Sequence, residues 1–494
     1  MQGSAIGGFT GFGGLYQFTG TEGAPAQDFG PGAAGQPGGD KGNANKLPVV
    51  RESPFVYYDT TNNEFEFFKP KVQNNRKGYD WKMNGSTGDV LPMSAFYIAN
   101  PTDTVSTLNA QLASGKNLIL NPGNYTGLTE PLTVSRANTV IYGLGNAQIA
   151  GAAGVQTLKV TDSATGAVLA GFLIGAAAPG AVTPAAIQVQ IGVDGGTGSA
   201  SNPTALIDTN VASRAVTAEV INQDYVIHSQ AEVNTSTNSS SAAAWATPDG
   251  SYGIVVNGDN VTLQGLYIEH YKKTQLTWNG DKGRIDYLVN EPPYRPYYAT
   301  PNVVPDTWKM NADFDGWPSI SISDDVKKFD AEGYMTVHIF MGGCRCEIDA
   351  NTIVPENKPG ITFRNVLATT VTYPVPAGTT DVHYDPNEFN GESGQVPKFV
   401  WATPDLQKQL VNFSGTGGFI QQSGNYAVGG NRNVFGIRGS DGKVTGVGPG
   451  NLIPDVAPGP GHFGPGGTSK LPFSDLFGYS ITTRITEFAA PKTK

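Results

Sequence analysis

The sequence predicts an all-β fold, a right-handed parallel β-helix with Gly/Pro-rich terminal arms. Charged residues make up only 15% of the 494 residues, whereas Gly (64) and Pro (34) are abundant. Long amphipathic helices need charged and straight-chain apolar residues at a period near 3.6, and these are scarce or aperiodic here. Short apolar runs broken by Asn, Gly or Asp recur from Phe96 onward, roughly every 20 to 30 residues, which is typical of stacked coils.

The chain divides into four predicted segments. Residues 1–47 form a Gly/Pro-rich arm or linker, because such a composition buries little apolar surface. Residues 48–95 form a β-hairpin segment that docks on the helix, with its turn at 60–63 between two aromatic-rich runs. Residues 96–440 form the parallel β-helix, and residues 441–494 form a Gly/Pro-rich extension that ends in a strand.

A short α-helix is expected to seal the first coil. Val105, Leu108 and Leu112 follow helical spacing, and Thr102 or Asp103 stands where a capping residue is needed. Such a cap keeps the apolar end of the coil stack from facing water.

An antiparallel sandwich is the competing fold. The phrase N-T/V-x-x-x-G-L recurs at Asn138 and Asn260, each before a strand, where a turn amide could form a ladder with the next coil. Because this phrase recurs as a unit and hairpin Asn-Gly turns are few, the β-helix is favoured.

The charge balance limits the partners. The net charge is −10 and the pI is about 5.0, and no basic patch of the kind that neutralises phosphates is visible. We therefore expect neither nucleic acid nor a membrane surface as a partner. Glycosylation sequons favour a secreted, extracellular protein if the source is eukaryotic, and the alternative is chance in a chain rich in Thr and Asn. They begin at six asparagines: Asn84, Asn124, Asn234, Asn238, Asn260 and Asn412.

Several phrases together resemble a known group of proteins. They include "PVVRESPFVYYD", "VNGDNVTLQGLYIEHY", "TWNGDKGRIDYLVNEPPY" and "PENKPGITFRNVLATT". They resemble secreted right-handed β-helices of the pectate-lyase superfamily and are similar in layout to the exo-β-1,3-glucanases of glycoside hydrolase family 55. Proteins of this group are often labelled adenylyl cyclases, but this sequence has no P-loop. The resemblance implies a carbohydrate-active protein with a polysaccharide partner.

The stretch from Ile268 to Tyr294 concentrates the candidate chemistry. If Leu266 and Ile268 face the core, Glu269 faces outward. Glu291 is the predicted general acid, because prolines and aromatic residues beside it would desolvate its carboxyl group and favour the protonated form. Glu269 or Asp286 is then the base. Stacking at about 4.8 Å per coil brings such residues near the roughly 6.5–9.5 Å separation that an inverting glycosidase uses.

Aromatic and polar residues nearby are the predicted substrate-binding groups. Stacking on sugar faces is assigned to Trp278, Tyr294, Tyr297 and Tyr298, and hydroxyl binding to Asn279 and Arg284. The alternative is structural: Glu291 would pair with Arg284 or Arg295 and only fix a loop.

No metal site or cofactor is predicted. Asn311, Asp313 and Asp315 match the first half of an EF-hand loop, but Ile322 stands where a bidentate Glu is needed, so calcium is kept only as an alternative. Cys344 and Cys346 have no second Cys/His pair nearby in the sequence.

Three functions are compatible with these residues. The first is a glycoside hydrolase that uses two carboxylates on a neutral β-glucan. The second is a non-catalytic structural or adhesive protein that self-associates through its terminal arms. The third is a polysaccharide lyase, which the acidic net charge disfavours because its substrate would be anionic.

Overall fold

A computed structural model describes the chain from residue 16 to residue 447, with gaps. The described residues are 16–19, 21–24, 41–44, 47–76, 87–145, 147–175, 187–196, 198–212, 221–222, 225–226, 251–269, 271–292, 310, 316–341, 350–356, 358–373, 408–414, 418–421, 435–441 and 443–447.

Strands dominate this part of the chain. The single described α-helix is α1 (Val105–Ala113), and a 3-10 turn covers Met93–Ala95. The strands are β1 (Tyr16–Thr19), β2 (Lys41–Ala44), β3 (Leu47–Val50), β4 (Phe55–Asp59), β5 (Glu64–Pro70), β6 (Gln73–Arg76), β7 (Gly88–Pro92), β8 (Phe96–Ala99), β9 (Asn117–Leu120), β10 (Gly123–Leu128), β11 (Leu132–Val134), β12 (Val140–Gly143), β13 (Ala147–Gly151), β14 (Leu158–Val160), β15 (Val168–Ala170), β16 (Leu173–Gly175), β17 (Ile187–Ile191), β18 (Thr204–Ile207), β19 (Asn210–Ala212), β20 (Ile221–Asn222), β21 (Tyr225–Val226), β22 (Tyr252–Val256), β23 (Val261–Glu269), β24 (Leu276–Trp278), β25 (Gly283–Glu291), β26 (Ile320–Ile322), β27 (Phe329–Met341), β28 (Thr352–Pro355), β29 (Ile361–Tyr373), β30 (Lys408–Ser414), β31 (Gly418–Gln421), β32 (Phe435–Arg438) and β33 (Val444–Val447).

Stacked coils with three sides form the body of the molecule. The first side contains β8, β9, β12, β15, β18 and the N-terminal halves of β23, β25, β27 and β29. The second side contains β10, β13, β16, β19 and the C-terminal halves of those four long strands. The third side contains β11, β14, β17, β22, β24, β26, β28 and β32. Neighbours within each of these sets pair in parallel, so the predicted parallel β-helix is confirmed and the sandwich is wrong.

A single left-handed residue separates the first side from the second in successive coils. Gly171, Asp208, Gly265, Tyr287 and Gly333 occupy this position, with φ between +50° and +74°. Glycine suits it because a Cβ in this conformation is strained, and at Gly265 a Cβ would also lie 2.4 Å from Asp208 Oδ1. Asp208 and Tyr287 are the two residues at this position that are not glycine, and Tyr287 lies between two of the candidate carboxylates, Asp286 and Glu291.

Apolar ladders fill the lumen of the β-helix. Leu263, Ile285, Ala331 and Phe363 are register partners on the first side, and all are buried in the main core. Each aliphatic or aromatic side chain thereby packs on its counterpart in the next coil, which is how stacking buries an inner face that one coil could not bury alone.

Helix α1 covers the first coil, as predicted. Val105, Leu108 and Leu112 are buried in the main core. The N-cap is Thr104, one or two residues later than the sequence suggested, and its hydroxyl accepts a hydrogen bond from the Thr107 N–H at 3.1 Å. Asp103 accepts instead from the Asn100 N–H at 2.8 Å and so fixes the chain that enters the helix.

The two turn asparagines are left-handed residues that do not bond each other. Asn138 and Asn260 have φ of 61° and 53°. Asn138 Oδ1 accepts from the Asn202 amide at 2.8 Å, and the Asn260 amide donates to the Gly198 carbonyl at 3.2 Å. Asn138 therefore makes an amide-to-amide hydrogen bond to another coil, as was expected at these turns, whereas Asn260 binds a backbone carbonyl instead.

The N-terminal hairpin packs on the outer face of the first side. Strands β4, β5 and β7 form an antiparallel sheet with the turn at 60–63, as predicted. Phe67 is fully buried and packs against Phe96 and Tyr142, with ring centroids 4.6 and 5.2 Å apart. The segment boundaries stay a prediction, because most of the two arms lies outside the described residues. Within the described part, no helix is long and apolar enough to cross a membrane.

Candidate functional site

Two candidate carboxylates lie side by side on the outer wall of the second side. Glu269 ends β23 and Glu291 ends β25, and the two residues are register partners in neighbouring parallel strands. Their backbones are therefore about 4.8 Å apart. The alternate residues Leu266, Ile268 and Leu288 point into the core, so both glutamates point outward. The sequence predicted this shared wall.

This wall is buried, so the desolvation expected at Glu291 is present, whereas Glu269 faces outward but does not lie on an open surface. Glu269 is 0% exposed and Glu291 is 1% exposed. Tyr267 and Val289, which precede them by two residues on the same face, are also buried. Tyr271 follows at the corner, where burial and, next, the charge of Glu269 raise the pKa of its hydroxyl. The two carboxyl groups thus occupy a desolvated environment in which each charge acts strongly on its neighbours.

Asn210 lies on the same wall in the preceding coil. It begins β19 and is in register with Tyr267, while Val211 beside it points into the core. Asn210 is 0% exposed, and neither its amide nitrogen nor its amide oxygen makes a hydrogen bond.

Asp286 lies on a different face from the two glutamates. The left-handed Tyr287 turns the chain directly after Asp286, so Asp286 projects from the first side and Glu291 from the second. Gln264 and Glu332 are the register partners of Asp286. The expectation that Asp286 could share the water-binding role with Glu269 is therefore not supported by its placement.

Arg284, Asp286, Asp330, Glu332 and Arg364 form a charged cluster on the outer face of the first side. Arg284 pairs with Asp330, and Arg364 pairs with Asp330 at 2.7 Å and with Glu332 at 2.6 Å. Burial raises the pKa of Glu332, Arg364 lowers it, and Asp286 and Asp330 raise it further, with a net upward shift. Arg284 thus belongs to this cluster, and neither a hydroxyl-binding role on the wall nor a pairing with Glu291 fits its position.

Trp278 is a core residue, which corrects its assignment as a sugar-stacking group. Its ring is 0% exposed and packs against Phe329 with centroids 4.9 Å apart, and its indole N–H donates to the Gly280 carbonyl at 2.9 Å. Leu276, two residues earlier on the same strand face, is also in the core. No ring face remains for a ligand.

Asn279 lies at the turn from the third side to the first. It is exposed, and its amide donates to Asn257 Oδ1 at 2.8 Å in the preceding coil. The amide ladder that was expected at other asparagines forms here, and it places Asn279 away from the wall. Tyr294, Tyr297 and Tyr298 lie outside the described residues.

An aromatic corner was missed by the sequence analysis. Tyr252 and Trp317 are partly exposed and meet edge to face with centroids 6.3 Å apart. The Lys273 ammonium lies 5.5 and 5.2 Å from the two ring centroids. Lys273 follows Glu269 in the turn that leads to β24, and Trp317 precedes β26. These residues come from three separate coils, so no local sequence pattern groups them.

Metal-binding groups are not found in the described part of the chain. No group of three or more His, Cys, Asp or Glu side chains there could hold a metal ion. Asn311, Asp313 and Asp315 of the EF-hand-like phrase lie outside the described residues, as do Cys344 and Cys346.

Known proteins resemble this chain over the coils that carry the wall. Residues 96–291 match the LAM55 pectate lyase-like domain, a range that ends at Glu291. The chain is 32% identical over 365 residues to an exo-beta-1,3-glucanase of Streptomyces sp. (strain SirexAA-E / ActE), which covers 71% of this chain and 55% of the relative. The resemblance to the pectate-lyase-like β-helix family is confirmed.

Solved structures agree with this pectate-lyase-like assignment. The structure of sacteLam55A from Streptomyces sp. SirexAA-E superposes with a TM-score of 0.56 at 28% identity, over 75% of this chain and 64% of that chain. A second structure is that of a variant of the same protein in complex with glucose, in which one glutamate is replaced by alanine. It superposes with a TM-score of 0.54 at 26% identity. The layout thus resembles that of glycoside hydrolase family 55, while the chain spans about half the length of the curated relative it matches.

Proposed function

We propose that this protein is a glycoside hydrolase that acts on a neutral β-glucan with Glu291 as general acid and Glu269 as the second carboxylate. The register of these two residues on one buried wall carries the proposal. Polysaccharide is the proposed partner, and a secreted, extracellular location follows from the nature of that substrate.

The chemistry needs two carboxyl groups in different protonation states. In glycoside hydrolysis one carboxyl group protonates the leaving oxygen while the other acts in its ionised form. Glu291 is followed directly by Pro292, whose missing N–H removes a potential hydrogen-bond donor from its surroundings. We therefore assign the protonated role to Glu291, which donates its proton to the leaving oxygen.

Glu269 then acts on the opposite side of the scissile bond. Two glutamate side chains whose backbones are about 4.8 Å apart reach carboxyl separations from about 5 Å to about 9 Å, which covers both glycosidase mechanisms. In an inverting enzyme Glu269 would deprotonate a water, and in a retaining enzyme it would attack the anomeric carbon.

Two further observations support a neutral glucan as substrate. The net charge of −10 repels an anionic polysaccharide, which disfavours a lyase. The name of the curated relative is that of an exo-β-1,3-glucanase, and the variant of sacteLam55A that was solved in complex with glucose lacks one glutamate.

The test is hydrolysis of laminarin, followed by the release of reducing ends. Glu291→Gln should lower kcat by about 10³-fold, because general acid catalysis contributes about 10²–10⁴-fold. On an aryl β-glucoside with an acidic phenol the loss should be much smaller, because that leaving group departs without protonation. Glu269→Gln should be impaired on both substrates.

Glu130→Gln is the matched control, because Glu130 is an exposed glutamate in a turn and should keep wild-type activity. Equal activity of Glu291→Gln and the control would contradict the assignment. If the wild-type protein cleaves no β-glucan and elutes as large assemblies, the self-associating structural function replaces the hydrolase.

A further inference from the structure

Asn210 is a fully buried amide that the described part of the chain leaves unbonded. Among these residues its nitrogen and oxygen atoms have no hydrogen-bond partner, and its residue exposure is 0%. Leaving a buried donor or acceptor unbonded is unfavourable, and native proteins usually satisfy such groups.

Some other buried amides in the same fold are satisfied by the chain, whereas Asn290 and Asn351 are unbonded among the described residues, as Asn210 is. Gln264 exchanges hydrogen bonds with the backbone of Arg51 at 3.1 and 2.5 Å. Gln275 accepts from the Tyr271 N–H at 3.1 Å and donates to the Lys273 carbonyl at 2.9 Å. Of the three unbonded asparagines, Asn290 is in register with the core residue Ile268, and Asn351 lies on the third side. Asn210 shares the outer wall with Glu269 and Glu291, so its amide is the one that a ligand held at that wall would satisfy.

The position of Asn210 relative to the two glutamates identifies the site that this ligand would occupy. Ala212 is the register partner of Glu269, and Asn210 precedes Ala212 by two residues on the same face. With about 4.8 Å between strands and about 6.6 Å along two residues, the Cα atoms of Asn210 and Glu269 are about 8 Å apart. One sugar ring bridges a gap of this size.

We propose that Asn210 binds hydroxyl groups of the sugar ring held against Glu269 and Glu291. This assignment rests on the proposed function. A carboxamide offers two N–H donors and one carbonyl acceptor, which matches the paired donor and acceptor character of sugar hydroxyls. The group is uncharged, so it suits a neutral sugar and gives no ionic attraction to a uronate. Asn210 is thereby a substrate-binding and specificity-determining residue, and the bound sugar satisfies its amide.

Replacement by leucine separates this role from a structural one. Asn210→Leu removes an unbonded buried amide and keeps the number and branching of the side-chain heavy atoms, so Tm should rise by about 2 °C or more while kcat/KM on laminari-oligosaccharides should fall about 100-fold. The control is Asn351→Leu. Asn351 is also 0% exposed with both amide atoms unbonded, but it lies just before β28 on the third side. The control should show the rise in Tm without the loss of kcat/KM.

Binding without turnover provides a second readout. In the Glu291→Gln background, laminaribiose should release heat in calorimetry, and adding Asn210→Leu or the smaller Asn210→Ala should weaken Kd at least tenfold. Wild-type kcat/KM and Kd in the Asn210 variants would overturn the assignment. Loss of the folded state in both variants would also overturn it, because the amide would then hold protein contacts. If the wild-type protein neither cleaves nor binds any glucan, the proposed function itself fails, which is a different result.

Discussion

The outer face of the first side differs in chemistry between its two ends. From β8 to β18 it is apolar and lies under the N-terminal hairpin, with Phe67 packed among the buried residues of this half: Phe96, Ile119, Val140, Tyr142, Val168, Ala170, Ala205 and Ile207. From β23 to β29 the same face carries the charged cluster. One row of register partners runs through both halves: Ile207, Gln264, Asp286, Glu332 and Arg364.

Gln264 marks the boundary between the two halves. Its amide exchanges hydrogen bonds with the backbone of Arg51, as a neighbouring strand would. The Arg51 guanidinium in turn donates to the Pro70 carbonyl at 3.0 Å and to Asn202 Oδ1 at 2.8 Å. The coil geometry is the same in both halves, so the chemistry of each row depends on what packs over it.

Removal of the Phe67 ring, which anchors the N-terminal hairpin on the first side, should have the largest effect on the free energy of unfolding. Phe67→Ala deletes a fully buried ring between Phe96 and Tyr142, so the free energy of unfolding should fall by about 3–5 kcal/mol. Denaturant unfolding measures this change. The control Phe65→Ala removes a ring that is 58% exposed and should cost less than about 1 kcal/mol. Equal losses in both variants would mean that the hairpin is not anchored through Phe67.

Disruption of the charged cluster on the first side should have an intermediate effect on the free energy of unfolding. Asp330→Asn leaves Arg284 and Arg364 without their shared carboxylate. Removing one partner of a fully buried pair costs about 3–5 kcal/mol, but Asp330 and Arg364 are partly exposed, so we expect about 2 kcal/mol. The loss should persist at high salt if the Arg284 pair is shielded from solvent. If the Asp330→Asn variant is as stable as the wild type, the ion pairs of the cluster do not contribute to the free energy of unfolding.

The smallest expected change in the free energy of unfolding comes from Lys69, a buried cation in the half of the first side that the hairpin covers. Burial, and then the positive charge of Arg51, lower the pKa of Lys69 from 10.5 to about 8. The folded pKa is therefore below the unfolded one, so the charged lysine lowers stability fully below pH 8, and this penalty is relieved as pH rises from about 8 to about 10.5. Lys69→Met should raise the free energy of unfolding at pH 7 by about 1 kcal/mol and by less at pH 9.5.

Unfolding curves at the two pH values check the Lys69 prediction. A gain that grows with pH would have the wrong sign and would show that Lys69 is stabilised by its hydrogen bond to Asn138 rather than destabilised by burial.

Much of the fold and part of the site followed from local sequence patterns. The alternation of Leu266 and Ile268 with Glu269 predicted an outward glutamate, because side chains on a strand alternate between its two faces. The same rule, applied to Leu276, would have placed Trp278 in the core, where the structure has it. Asp286 could not be placed in this way. Residues 286 and 291 lie on opposite faces of a straight strand, but the left-handed Tyr287 between them resets the alternation and turns both outward on different sides.

Local sequence patterns were sufficient to predict the coils, the capping helix and the shared wall of Glu269 and Glu291, because a period of two and a recurring turn are properties of short segments. Tertiary structure alone decided that the wall is buried, that Arg284 pairs with Asp330 rather than with Glu291, and that Asn210 joins the wall. These outcomes depend on residues 40 or more positions apart in the chain. Their contacts are set by the stacking of coils and by what covers each face, and neither leaves a local signal.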